Sequence, residues 1–333
     1  MTPHHRQLVL LAAPAWTSIA CLAAAQVCPE QRVWTHVLKA VLLSAPCWVM
    51  LLWAPWCGLC FATWRRRGTA RPSATWIAVL GLVGLVLAGI PEFPPSDIAT
   101  GLKVVSANVN AYSDTEDSAP LEAALSELKA GVLITIEERA HNVVGMTRVA
   151  DNYEEDLPRI SHGTAVFCRD PVQCDARITE EFGSDHSRMP LALVRLTHGV
   201  QRPICLLGIH SPPPAPFDTS GIGPYISTIA SHLEDGSIST PWNPCQRGDD
   251  AVVLGDMNAV PWSTAWRALR ATGLTDVLRW RGIYASSWPA GGGWPNLPLL
   301  RLDHLLVGTT DAQGVHLQRI PGSDHKALVA WLK

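Results

Sequence analysis

The stretch VVLGDMNAVPWSTAW (residues 252–266) changes character twice within fifteen positions. It begins as an uncharged apolar run, breaks at Asp256 and Asn258, and from Thr264 continues as TAWRALRATG (264–273), with apolar residues at helical spacing. The pattern predicts a buried strand, a polar turn and a helix. Charged and amide side chains are rarely buried without partners, so a carboxylate and an amide at the end of such a strand must face other polar groups.

The same interruption recurs along the chain. Strand-like runs lie at 102–109, 131–137, 163–168, 191–196, 204–210, 251–257, 302–308 and 327–332. Several are apolar at nearly every position, as strands covered by helices are. A helix is expected over APLEAALSELKA (119–130), with Pro120 at its start. Asn108 ends the first run, Glu137 the second and His210 the fifth; Asp303 sits in RLDH, and Asp324 with His325 precedes the last run. With Asp256 and Asn258, these residues are expected to converge on one site holding a hard divalent cation through oxygen ligands. The fold class that follows is α/β with packed sheets. There is no internal repeat, low-complexity tract or glycine-rich phosphate loop; HSPPPAPFDTSGIGP (210–224) and WPAGGGWPNLP (288–298) read as loops.

The first hundred residues differ in kind. Residues 8–27, 40–64 and 74–90 are apolar runs near the ~20 residues that cross a bilayer as a helix, and three transmembrane helices are expected. The Arg-rich segment at 65–71 between the second and third favours the cytoplasmic side, which puts everything after residue 90 outside. The first run also has the character of a signal peptide ending in AAAQ (23–26); its cleavage would leave the outcome unchanged. The domain reading is a membrane anchor over 1–91, a Pro-rich linker over 92–100 and an outer domain over 101–333. Residues 1–100 hold seven Lys/Arg and three Asp/Glu, leaving 19 basic and 26 acidic residues beyond, a balance of −7. That counts against a nucleic-acid substrate, whose binding relies on many basic contacts to phosphate. Of nine cysteines, four (Cys168, Cys174, Cys205, Cys245) lie in the domain; Cys168 and Cys174 are close enough in sequence to pair outside the cell, and the sequence leaves that open. Cys57 and Cys60, a CxxC inside an apolar run, read as small packing residues.

SANVN (106–110), LITIEE (133–138), GIHSP (208–212), the opening stretch, RLDHLLV (301–307) and GSDHKALVAWL (322–332) together resemble the endonuclease/exonuclease/phosphatase superfamily, of deoxyribonuclease I type. The resemblance covers nearly all of 101–333 and implies a four-layer α/β sandwich, two packed mixed sheets flanked by helices. It implies roles for matching positions. Glu137 is the principal metal ligand, with Asn108 beside it; the adjacent Glu138 is the alternative to Glu137. Asp256 orients or deprotonates the attacking water, and Asn258 holds the phosphate through its amide. His325 meets the phosphoryl oxygens as an imidazolium or assists proton transfer, oriented by Asp303. Asp324 completes a metal or water network, and His210 contacts the phosphate or leaving oxygen. Mg²⁺ suits such an oxygen site, since it keeps waters and lets substrate phosphate complete its shell; Mn²⁺ fits the same ligands.

The quartet GSDH occurs twice, at 183–186 and 322–325. Only the second matches the family pattern. Asp185 and His186 read as a loop, the other reading being that His186 or Arg188 contacts substrate at the pocket rim. The anchored architecture is similar to that of the teicoplanin-resistance phosphatases of bacterial inner membranes, which implies a phosphate-containing membrane lipid, of polyprenyl pyrophosphate type, as substrate. A nuclease or sphingomyelinase-type phosphodiesterase and a silent sensor are the alternatives. No oligomeric state is readable from the sequence.

Overall fold

The computed structural model describes residues 100–110, 118–138, 141–152, 163–180, 189–212, 222–239, 243–261, 263–279, 285–290 and 300–333. The three expected spans, and Asp185, His186 and Arg188, lie outside the described residues. Among those described, no helix is long and apolar enough to cross a membrane.

Among the described residues, twelve strands form two six-stranded mixed sheets. The first has the order β11 (Ala312–Arg319), β12 (Lys326–Leu332), β1 (Leu102–Asn108), β2 (Val132–Ile136), β4 (Thr164–Cys168), β3 (Thr147–Asp151). The second runs β5 (Cys174–Thr179), β6 (Leu191–Leu196), β7 (Ile204–His210), β8 (Asp250–Asp256), β10 (Asp303–Val307), β9 (Thr275–Asp276). Each has one parallel pair, β1/β2 and β7/β8. A helix lies between the two strands of each pair in the chain, as a parallel crossover requires: α1 (Ala119–Glu127) and α2 (Ile222–Glu234). A third, α3 (Thr264–Ala271), follows β8.

Side-chain alternation sorts these strands into layers. Leu102, Val104, Val132, Ile134, Val194, Leu206, Val252, Leu254, Leu305 and Leu328 meet between the sheets. The intervening residues face outward: Val105, Leu133 and Val329 onto Leu121 and Leu125 of α1, and Leu207, Val253 and Leu306 onto Tyr225 and Ile229 of α2 and Leu269 of α3. The result is helix, sheet, sheet, helix, the expected sandwich. Pro120 at the start of α1, and Ser263, whose Oγ accepts from Trp266 N at 3.2 Å, fix two helix beginnings.

All eight strand-like runs become strands. The structure adds β3, β5, β9 and β11, and it corrects the reading of 210–224 as loop throughout, because α2 begins at Ile222. Disulfides join Cys168 to Cys174, linking β4 of one sheet to β5 of the other, and Cys205 to Cys245.

Candidate active site

The alternation that fills the inter-sheet core also builds the site. On β1 the core face continues from Leu102 and Val104 to Ser106 and Asn108; on β7 it passes from Ile204 and Leu206 through Gly208 to His210; on β8 Val252 and Leu254 lead to Asp256. β10 runs the other way, so Asp303 comes first and Leu305 next. His210, Asp256 and Asp303 stand opposite one another in register across three neighbouring strands. The site is therefore the polar end of an apolar core.

Polar contacts between groups carried by the two sheets tie them together there, three of them as follows. Asn108 Nδ2 of β1 donates to Asp256 Oδ2 of β8 at 3.1 Å. Glu137, just past β2, has Oε1 3.6 Å from His210 Nε2 of β7. His325, just before β12, places Nδ1 2.8 Å from Asp303 Oδ2 of β10. Two further contacts join these pairs: Asn108 Nδ2 donates to Glu137 Oε1 at 3.1 Å, and His325 Nε2 lies 3.6 Å from Asp256 Oδ2.

Of the two adjacent glutamates, Glu137 is the one at the site. Its φ of 55° is left-handed, a turn that ends the strand's alternation. Glu138 is fully buried, accepting from His141 N at 2.6 Å and from Arg148 Nη2 at 3.3 Å. Burial raises its pKa, but the hydrogen bond and charge of His141 outweigh this and the net shift is downward. The neighbouring Gly163 must be glycine, since a Cβ there would sit 2.4 Å from Glu138 O.

The turn after β8 is held closely. Gly255 has φ 130°, and a Cβ on it would meet Ile209 O at 2.2 Å, so only glycine lets β8 lie this close to β7 before Asp256. Asp256 Oδ1 accepts from Asn258 N at 2.8 Å, Met257 N donates to Leu302 O at 2.9 Å, and Asn258 Nδ2 donates to Ser211 O at 2.9 Å. Ser211 Oγ donates to Met257 O. One Asn258 amide hydrogen is thus engaged, leaving the other for a ligand.

Electrostatics separates the groups. Burial raises the Asp256 pKa to about 7, with Asp303 and Glu137 adding to the rise and His325 opposing it. Burial alone would lower His325, but the carboxylates of Asp303 and Asp256 override it and lift its pKa to about 10. That environment favours the imidazolium form of His325. Asp256, Asp303 and His325 offer ligand-type atoms within 4.8 Å of one another, and within the trio the 2.8 Å pair of His325 Nδ1 and Asp303 Oδ2 orients the imidazole. Asp324 is an acceptor for Trp288 Nε1, with Oδ2 at 2.9 Å; the sequence offers Trp288 as an interfacial anchor or a packing residue, and no local pattern marks this bond. Asn108 presents nitrogen to both carboxylates because its Oδ1 accepts from Asn110 N at 2.9 Å.

Oxygen donors suit a hard cation here. Asp303 Oδ1 is buried with no hydrogen-bond partner among the described residues, and the pKa of Asp256 beside it is held high by burial first, with the negative charges of Asp303 and Glu137 adding to it.

Comparison of this arrangement with solved structures places it among similar folds. A functionally unknown conserved protein from Enterococcus faecalis V583 is 15% identical, with a TM-score of 0.50 over 70% of this chain and 99% of that one. D. rerio TDP2, complexed with single strand DNA product, is 14% identical, with a TM-score of 0.50 over 70% and 98%. At such identity the likeness is one of fold. No curated protein matches the chain in sequence. The endonuclease/exonuclease/phosphatase family pattern, by contrast, matches residues 105–325, from the middle of β1 to His325 and so across every strand end described above. On that match, the chain belongs to the endonuclease/exonuclease/phosphatase family.

Proposed function

We propose that the chain is a metal-dependent phosphoester hydrolase acting at the polar end of the sandwich, on a lipid-linked phosphate or pyrophosphate at the outer face of a membrane. The observation that carries the first half is the charge of the site. Glu137, Asp256 and Asp303 outnumber the single imidazolium, so a phosphate can approach only with a cation between it and the carboxylates. Glu137 would hold that cation, its carboxylate steadied by the Asn108 amide, which presents nitrogen rather than oxygen there, and Asp324 would contribute through the oxygen that Trp288 leaves. Bound there, Mg²⁺ or Mn²⁺ supplies charge neutralisation for phosphoryl oxygens and water.

The chain's own groups do the rest. Asp256, whose pKa lies about 7, orients the attacking water and accepts its proton. The Asn258 amide holds a phosphoryl oxygen. His325, kept protonated and oriented by Asp303, donates to an oxygen whose negative charge grows in the transition state. His210, beside Glu137, faces the same space and is placed to meet the leaving oxygen.

The two disulfides support an oxidising compartment, because such bonds are rare in the cytosol. The three expected spans and the Arg-rich 65–71 segment support the same side. Residue 100 enters beside Leu102, which pairs with Leu332 at the end of the sandwich opposite the site; Asn108 lies about 20 Å further along β1. An anchored domain must then lie over on its linker to reach a headgroup. Purified full-length protein in detergent, given Mg²⁺ and offered polyprenyl pyrophosphate, sphingomyelin, inositol phosphates and plasmid DNA side by side, should hydrolyse the first, lose activity in EDTA and regain it with Mg²⁺ or Mn²⁺. Cleavage of DNA alone would replace the lipid with a nucleic acid. Activity indifferent to EDTA would end the metal-dependent reading.

A further inference from the structure

The residue after Asp303 on β10 faces the opposite way. His304 is fully buried, on the side of the second sheet that carries α2 and α3. Its Nε2 lies 2.7 Å from Ala259 O. A carbonyl oxygen only accepts, so Nε2 carries the hydrogen and the ring is in the Nε2–H form. Burial, reinforced by the charge of Arg301, lowers its pKa to about 3, so this donor is unchanged over any ordinary working pH.

Ala259 directly follows Asn258, whose φ of 45° lies in the left-handed region. That conformation persists only where surroundings fix it. Within the 256–259 turn, Ser211 N donates to Asp256 O, Ser211 Oγ to Met257 O, Asn258 N to Asp256 Oδ1 and Met257 N to Leu302 O. Every one of these stops at or before Asn258. The bond from His304 holds the turn just beyond it, at Ala259 O, ahead of Val260 O, which accepts from Ser263 N at 3.2 Å before α3.

We propose that His304 is a positioning residue for Asn258: by pinning Ala259 O from the far face of the sheet, it fixes the left-handed turn that aims the Asn258 amide into the site. Asp303 and His304 thus serve one site from opposite faces of one strand, the first through His325 and the second through the 256–259 turn. The inference rests on the proposed role of Asn258.

Two substitutions separate aiming from packing. His304→Gln keeps an N–H at similar reach, and His304→Met keeps apolar bulk without a donor. In full-length protein, backbone hydrogen exchange at Met257 and Asn258 should be at least tenfold faster in His304→Met than in wild type and near wild type in His304→Gln, with the β8 amides of Val252–Leu254 unchanged in both. Turnover of bis(4-nitrophenyl) phosphate with Mg²⁺ should follow suit: kcat falls tenfold or more in His304→Met with KM held, His304→Gln restores it, and His304→Met adds little in an Asn258→Ala background. Should His304→Met fail to fold, His304→Asn, whose amide is too short to reach Ala259, takes its place. Equal exchange in the Gln and Met variants, or full additivity with Asn258→Ala, would overturn the proposal. An inactive wild type would count against the hydrolase reading while the exchange data still judged this one.

Discussion

On the inter-sheet face of β1, Leu102 and Val104 are followed by Ser106 and Asn108; on β8, Val252 and Leu254 are followed by Asp256. The two ends of one core are built by the same alternation and are buried alike: Asp303 is 0% exposed, as is Val252. Their energetics are opposed. Each apolar side chain buried at the first end stabilises by about 1.5–3 kcal/mol. Each carboxylate buried at the second end costs several kcal/mol that pairing only partly offsets, and the Asp256 pKa of about 7 is the mark of that cost. Stability is concentrated where the chain enters the sandwich, and chemistry where the strands leave it.

Two substitutions, two positions apart on one strand face, test that division. Asp256→Asn keeps the shape of the side chain and removes its charge; kcat should fall about 10³-fold or more, while the unfolding midpoint in EDTA stays level or rises. A marked fall in the midpoint would show that the charged end supports the fold after all. Leu254→Ala should do the reverse, removing ~2–5 kcal/mol of stability while leaving turnover per folded molecule within about threefold. Turnover that collapsed along with stability would mean the ends are not separable.

The same contrast explains what could be read from the sequence. The eight strands found in advance are the interior strands of both sheets, buried on both faces and therefore apolar nearly throughout. The four missed, β3, β5, β9 and β11, are the sheet edges. β3 (TRVAD) has no buried residue, and β11 (AQGVHLQR) buries only Val315, so neither carries a long apolar run. α2 was hidden by the glycine and proline of its first turn, IGP. Site positions were legible because a polar residue at the end of an apolar run is conspicuous. Partnerships were not: which glutamate turns inward depends on the φ of Glu137, and the Trp288 bond to Asp324 spans 36 positions. His304 carries no such signal, since it directly follows Asp303 and nothing local says that the two bind on opposite faces of the strand.

The smallest expected effect sets the two polar burials against each other through pH. In metal-free protein, Asp256 has a folded pKa of about 7, raised by burial first, against an ordinary value of 3.8. Its contribution to stability is present below 3.8 and is lost as pH rises through 7. His304 has a folded pKa of about 3, lowered by burial, against 6.5. Its contribution is present above 6.5 and is lost as pH falls toward 3. Between about pH 4 and 6.5 the two slopes are opposite in sign, each at most ~1.4 kcal/mol per pH unit, and they largely cancel. Urea unfolding of the wild type in EDTA across that window should therefore vary little on account of this pair. Asp256→Asn removes one slope and should lose stability on acidification faster than wild type. His304→Gln removes the other and should lose it more slowly, or gain. If both variants tracked the wild-type curve, neither group would be titrating from the buried state described here, and the opposition between the charged end of the core and the neutral histidine behind it would fail.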